Sequence, residues 1–251
     1  MSQSNRRPRR KREPDPFDGI LLVDKPTGWT SHDVVAKVRN HFRFNKVGHG
    51  GTLDPLATGL LVLLIGKGTK LSDRIMGGDK VYEGTLHLGV TTDSQDRDGE
   101  VLEEKDASHI TRDQVEAAIQ NYLGDIEQIP PMVSAIKKDG VALYKLARKG
   151  REIEREPRKI HIFSFEITGF ENPYATFHVK STKGTYVRTL AHDIGNDLGV
   201  GGSLDALRRT GSGPLSVDKA YTMEEILACD RETIGEKIIL LSDMMQGGSA
   251  A

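Results

Sequence analysis

Cysteine is almost missing from this chain of 251 residues, with Cys229 the single example. One thiol excludes an intramolecular disulfide and any multi-thiolate zinc site. A reducing, cytoplasmic compartment is the natural expectation. Long hydrophobic runs are missing as well. The longest, Leu60 to Ile65, is far short of the roughly 20 apolar residues a membrane-spanning helix needs. The N-terminus is basic but has no apolar segment behind it, so it does not read as a signal peptide. Net charge is nearly absent too, at −1, but its distribution is uneven. Residues 1–13 hold six of the 35 Lys and Arg, which leaves the remainder with about −6. Bulk charge therefore gives nucleic-acid binding no support, and only local patches could supply it.

Two such patches exist. Nine bases and four acids lie between Lys137 and Lys159, and seven acids against two bases between Asp93 and Asp106. Charge alone reads both as solvated loops. Cofactor signatures also fail, each on spacing. GKGTK (66–70) has Leu61 and Gly68 where a Walker A loop needs Gly and Ser/Thr. SQDRDG (94–99) begins on Ser94 and reaches Lys105 where a calcium loop needs glutamate. His41 and His49 lack a helical ligand partner, and no GxSxG is present. Any chemistry must come from ordinary side chains, with no cofactor and no metal.

What is present reads as an ordered body between a basic, polar tail (1–16) and a short polar end (246–251). ILLVDKP is a buried strand stopped by Pro26, and Thr30 and Ser31 can cap a helix with Val34, Val35, Val38 and Phe42 on one face. GLLVLLIG (59–66) reads as a buried strand, and VYEGTLHLG (81–89) alternates with Tyr82, Gly84, Leu86 and Leu88 together. Thr111 with Gln114, and Thr222 with Glu225, are capping boxes. KIHIFSFEITGF and ATFHVK pair as a hairpin, and KGTYVRTLAHDIG turns into a helix near Thr185. The expectation is an α+β fold, a mixed and mostly antiparallel central sheet with surrounding helices.

HGGTLDPLATG (49–59) poses the functional question. An aspartate before proline in a glycine-rich loop is ordinarily a turn-former. Here Leu53 and Leu56 would tuck the loop into the core and remove water from Asp54, while the glycines leave room for a flat ligand. A desolvated carboxylate needs a cation, and Arg188 in KGTYVRT is the candidate.

KVGHGGTLDPLATGLL closely resembles the catalytic motif of the TruB family, bacterial tRNA pseudouridine synthases that act on the T-loop uridine. Four further segments carry the resemblance to about residue 210: GILLVDKPTGWTS, VYEGTLHLGVTTDSQDRDG, IPPMVSAIKKDGVALYKLARKG and GTYVRTLAHDIG. It implies the pseudouridine synthase fold over 17–245, with a thumb-like RNA-gripping insertion at about 125–155. It further implies Asp54 as the catalytic aspartate, Tyr82 stacking on the target uracil, and Arg188 pairing with Asp54 under support from Tyr186. His49 would hold rearranged loop nucleotides, and Lys25 with Pro26 would support the floor. The basic patch then becomes an RNA grip, with Lys137, Lys145, Arg148, Lys149 and Arg151 as contacts. The expected partner is the tRNA T-stem-loop, met by a monomer with no membrane and no obligate protein partner. Two alternatives remain: an RNA-binding or RNA-folding factor with secondary catalysis, and a guide-dependent rRNA synthase. Departures from the family pattern are Val133 for a usual aromatic and Gly50 for a usual hydroxyl residue. The sequence also stops where many members continue into a PUA-type domain.

Overall fold

The structure is a computed structural model that describes residues 16–134, 136–138, 140–147 and 150–246. The basic tail through residue 15, the end from 247, and Arg148 and Lys149 of the expected grip lie outside the described residues. The strands are β1 (Gly19–Lys25), β2 (Val47–His49), β3 (Thr58–Ile65), β4 (Lys80–Leu88), β5 (Val90–Thr92), β6 (Val101–Glu104), β7 (Gly124–Gln128), β8 (Lys137–Lys138), β9 (Val141–Ala142), β10 (Arg158–Glu171), β11 (Tyr174–Ser181), β12 (Gly202–Ser212), β13 (Leu215–Ser216), β14 (Tyr221–Thr222) and β15 (Ile238–Leu240). The helices are α1 (Ser31–His41), α2 (Ser72–Gly77), α3 (Arg112–Ile119), α4 (Leu143–Ala147), α5 (Val187–Asp197), α6 (Met223–Leu227) and α7 (Leu241–Gln246). No helix among the described residues is long and apolar enough to cross a membrane.

Eleven of these strands form one sheet with the spine β14-β1-β3-β12-β4-β11-β10-β7. Pairing is antiparallel except for β1 with β14 and β12 with β3. The expected mixed, mostly antiparallel α+β sheet is what forms. Its helices begin where their caps say: Thr30, Thr111 and Thr222 each complete a capping box. Their apolar stripes pack one sheet face, through Val34 and Val38 of α1, Val115 and Ile119 of α3, and Leu190 and Ile194 of α5.

The composition of β3 follows from its burial. Leu61, Leu63 and Ile65 join that main core, while Leu60, Val62 and Leu64 point the other way, against Ile20, Leu22 and Ile75. A strand covered on both faces has no reason to alternate, so the sequence shows a continuous apolar run. Each such side chain removed from water contributes about 1.5–3 kcal/mol. By contrast β11 buries alternate residues and leaves Tyr174, Thr176 and Lys180 outside.

The long central strand β12 was not legible in GSLDALRRTGS. It carries two register shifts against β4 and buries Arg209, which breaks any polar–apolar alternation. Its contact with β3 is a close one. Gly59 has φ +93°, and a Cβ there would lie 2.3 Å from the Arg209 carbonyl oxygen. Gly59→Ala should therefore cost roughly 2–4 kcal/mol of folding stability, from backbone strain plus overpacking. Urea unfolding is the check, and an unchanged midpoint would show that the two strands can part freely.

Candidate active site

The loop between β2 and β3 is fastened at almost every peptide. Gly50 N–H donates to the Val62 carbonyl (2.8 Å), and Gly28 N–H donates to the Pro55 carbonyl (2.8 Å). Ser31 Oγ accepts from Leu53 N–H (2.8 Å) and donates to the Leu53 carbonyl (3.1 Å). Lys25 Nζ, wholly buried, donates to the carbonyls of Trp29 (2.6 Å), Pro26 (2.8 Å) and Pro55 (3.3 Å). Burial, above all, pulls the Lys25 amine down to about 8. Leu53, Leu56 and Ala57 anchor the loop in the core. At Gly50 a Cβ would lie 2.3 Å from Ile75 Cγ2, so a larger residue has no room without moving the second core.

This fastening leaves the acid of the loop, Asp54, only half-buried. The expectation of a desolvated carboxylate is corrected here: the side chain of Asp54 keeps 39% of its exposure, and its partner Arg188 keeps 3%. The loop's apolar residues bury its backbone rather than its acid. The buried charge of the pair is the cation.

Arg188 sits in the first turn of α5, whose start is pinned from β7. Gln128 accepts from Tyr186 N–H (2.8 Å) and donates to the Tyr186 carbonyl (3.0 Å). The guanidinium then meets three groups. Nη2 is 3.4 Å from Asp54 Oδ2, Nη1 is 3.6 Å from Asp96 Oδ2, and Nη2 donates to the Val133 carbonyl (2.5 Å). The Tyr186 ring lies beside it, 5.7 Å from centroid to guanidinium carbon. Asp96 is the buried acid of the set, and burial raises its carboxyl above the usual range against the opposing effects of Ser94 and Arg188.

Asp96 reaches this point because its loop docks on β12. Leu204 N–H donates to the Gln95 carbonyl (3.0 Å), and Arg97 N–H donates to the Leu204 carbonyl (3.0 Å). Thr189 Oγ1 of α5 donates to Gln95 Oε1 (2.7 Å), and Ser94 Oγ donates to Asp96 Oδ1 (2.6 Å). The stretch dismissed as a failed calcium loop thus supplies a second partner for Arg188. Nothing in its spacing signals that role; only the docking does. Among the described residues no group of three or more His, Cys, Asp or Glu is placed to hold a metal ion.

Asp54, Tyr82, Tyr186 and Arg188 line one cavity of about 690 Å³, within the range of small-ligand sites. Tyr82 is nearly buried in its wall on β4. Lys25 lies under the loop and His49 at the end of β2, and neither lines the cavity. Burial, first of all, lowers the His49 imidazole, and its Nδ1 has no hydrogen-bond partner among the described residues. Of the expected grip, Lys137 falls in β8 and Lys145 in α4, while Arg151 is exposed beyond α4. Arg158 and Lys159, the last bases of that patch, reach the cavity instead, with Lys183, Lys80 and Arg209. The last three were not singled out by sequence.

The mixed sheet thus brings the N-terminus of α5 and an acid-bearing loop together over one cavity, the arrangement expected of a pseudouridylate synthase. Comparisons with known proteins agree. The N-terminal domain of TruB family pseudouridylate synthases matches residues 39–187, and the C-terminal domain of tRNA pseudouridylate synthase B matches residues 188–247. The chain is 53% identical over 223 residues to tRNA pseudouridine synthase B of Opitutus terrae, covering 89% of this chain and 92% of that one. Against the protein of the same name from Syntrophotalea carbinolica it is 47% identical, over 92% of this chain and 75% of the other. Among solved structures, a Cbf5-Nop10-Gar1 complex superposes with a TM-score of 0.67 at 30% identity. That match covers 84% of this chain and 54% of the other, so this chain spans about half that protein's length. The chain belongs to the TruB family of pseudouridylate synthases.

The geometry makes Arg188 and Asp96 interdependent. Arg188→Met should cost about 3–5 kcal/mol at pH 7, because it leaves the Asp96 carboxylate buried and uncompensated. Adding Asp96→Asn to that variant should restore part of the loss in chemical denaturation. Additive losses in the double variant would separate the two residues energetically.

Proposed function

We propose that this chain is a tRNA-modifying isomerase that converts the T-loop uridine to pseudouridine. The observation carrying this reading is the Asp54–Arg188 ion pair in the wall of a cavity that also presents Tyr82. The relatives at 47–53% identity are named for tRNA, whereas the Cbf5 structures stand at 26–30% identity, which favours tRNA over a guide-directed substrate. We read the protein as a monomer acting in the cytoplasm without a metal.

The reaction breaks the N1–C1′ bond, turns the uracil and joins C5 to C1′. N1 gains a proton and C5 loses one, with no net redox change. A looped uridine must first leave its stack, which costs a few kcal/mol. Stacking on Tyr82 returns roughly 1–3 kcal/mol of that. Arg188 pairs with Asp54 at Oδ2, and the carboxylate, which lines the open cavity, is the acting group. There it serves either as a nucleophile or as a base at C2′. Partial exposure of Asp54 suits this role, because the entering base supplies the missing desolvation. Asp96 and Tyr186 position Arg188, and Lys25 holds the loop at Pro55. The bases Arg158, Lys159 and Lys183 of the cavity lining, with Lys145, Arg148, Lys149 and Arg151 of the basic stretch, meet phosphates.

Tritium release from [5-³H]uridine in an unmodified tRNA transcript tests the reading. The intact protein should release tritium by itself, and Asp54→Asn should release none while still binding the RNA. Full activity in Asp54→Asn would sink the assignment of the acid, and tight binding without release by the intact protein would favour an RNA-folding role. Replacing Lys145, Arg148, Lys149 and Arg151 with alanine should weaken binding and lower the salt slope by up to about 0.7–0.9 per lost phosphate contact. An unchanged slope would remove this segment from the interface.

A further inference from the structure

Two cations in the cavity wall have no part in the chemistry above. Lys80, at the start of β4, is 6% exposed, and Arg209, on β12, is 2% exposed. Neither forms an ion pair among the described residues. Arg209 donates from Nε to the Leu60 carbonyl (2.8 Å), from Nη2 to Gly51 (3.2 Å) and from Nη1 to Thr52 (3.4 Å). Lys80 Nζ donates to the carbonyls of Met76 (3.3 Å) and Gly78. Carbonyls satisfy N–H donors but do not cancel charge, so each cation stays costly to bury. They also oppose one another: burial and then the charge of Arg209 pull the Lys80 amine to about 8. Lys183, exposed at the cavity edge, adds a third positive charge to the same group.

The acids nearby leave this group unbalanced. Asp54 is engaged by Arg188, Asp73 of α2 is exposed, and Asp79 acts on Lys80 from beyond ion-pair distance. If Lys80 served packing alone, methionine would fill a comparable space without the desolvation cost. An anion entering the cavity would remove that cost.

We propose that Lys80, Arg209 and Lys183 form an anion subsite that takes a phosphodiester group adjoining the flipped uridine. The proposal rests on RNA being the substrate. The subsite lies beside Gly51 and Thr52, which lead into Asp54, so a phosphate held there would set the reach of the sugar toward the acid.

The test is a thermodynamic cycle between one side chain and one phosphate, read by binding at constant salt. Wild type and Lys80→Met are each titrated with T-stem-loop RNA carrying a single methylphosphonate on the 5′ or 3′ side of the target uridine. The neutral linkage should weaken wild-type binding about tenfold at one of the two positions, the scale of a charged hydrogen bond. Lys80→Met should lose about as much on unmodified RNA, and no more when both changes are combined. Additive losses at both positions, or unchanged affinity of Lys80→Met, would overturn the subsite. Lys80→Met should melt at or above the wild-type temperature, and a lower Tm would assign Lys80 to packing. Inorganic phosphate at fixed ionic strength is a separate arm. Protection of wild type but not Lys80→Met, with an additive cycle, would assign the site to small free phosphates and overturn the RNA assignment. Because the cycle is read by binding, tight RNA binding without tritium release would overturn the enzymatic reading and leave the subsite standing.

Discussion

A guanidinium with almost no solvent must find its charge balance inside the protein, and Arg188 finds it from two directions. Asp54 approaches from the 50–57 loop and Asp96 from the 92–99 loop, and the Val133 carbonyl fills part of the remaining donor capacity. Three segments far apart in the chain must therefore arrive together at the first turn of α5. The outer acid stays open to the cavity while the inner one is sealed. That asymmetry lets a single arginine hold a carboxylate at the cavity wall without burying it.

The sheet makes the arrival possible. β3 is apolar on both faces, so it lies deep and carries the 50–57 loop in at a fixed height. β12 lies between β3 and β4, and from it Arg209 binds the loop's carbonyls while Leu204 receives the Asp96 loop. The same strand pairs Arg209 with Gly59 on one side and Tyr82 on the other. A single strand thus couples the acid, its arginine and the tyrosine, and a slip of one residue in its register would separate them.

Much of this was readable without coordinates. Capping boxes at Thr30, Thr111 and Thr222 depend on residues three apart, and local signals of that kind survive in any tertiary setting. The alternation around Tyr82 and the continuous run of β3 report one-sided and two-sided burial directly. β12 escaped because its strand pattern is broken by shifts and by a buried arginine, each of which depends on neighbours distant in sequence. Asp96 escaped for a similar reason, since its partner lies 92 residues further along.

The sequence by itself determined that a loop of two glycines, an aspartate and a proline stands before a buried strand, and that an arginine opens a later helix. Side-chain type and local spacing suffice for that. Which of the two pairing charges is buried was decided only by the tertiary structure. Loop backbone hydrogen bonds draw Leu53, Leu56 and Ala57 inward and leave Asp54 outside, while α5 carries Arg188 into the core. Burial is a property of what packs on a residue rather than of the residue, and no local pattern records it.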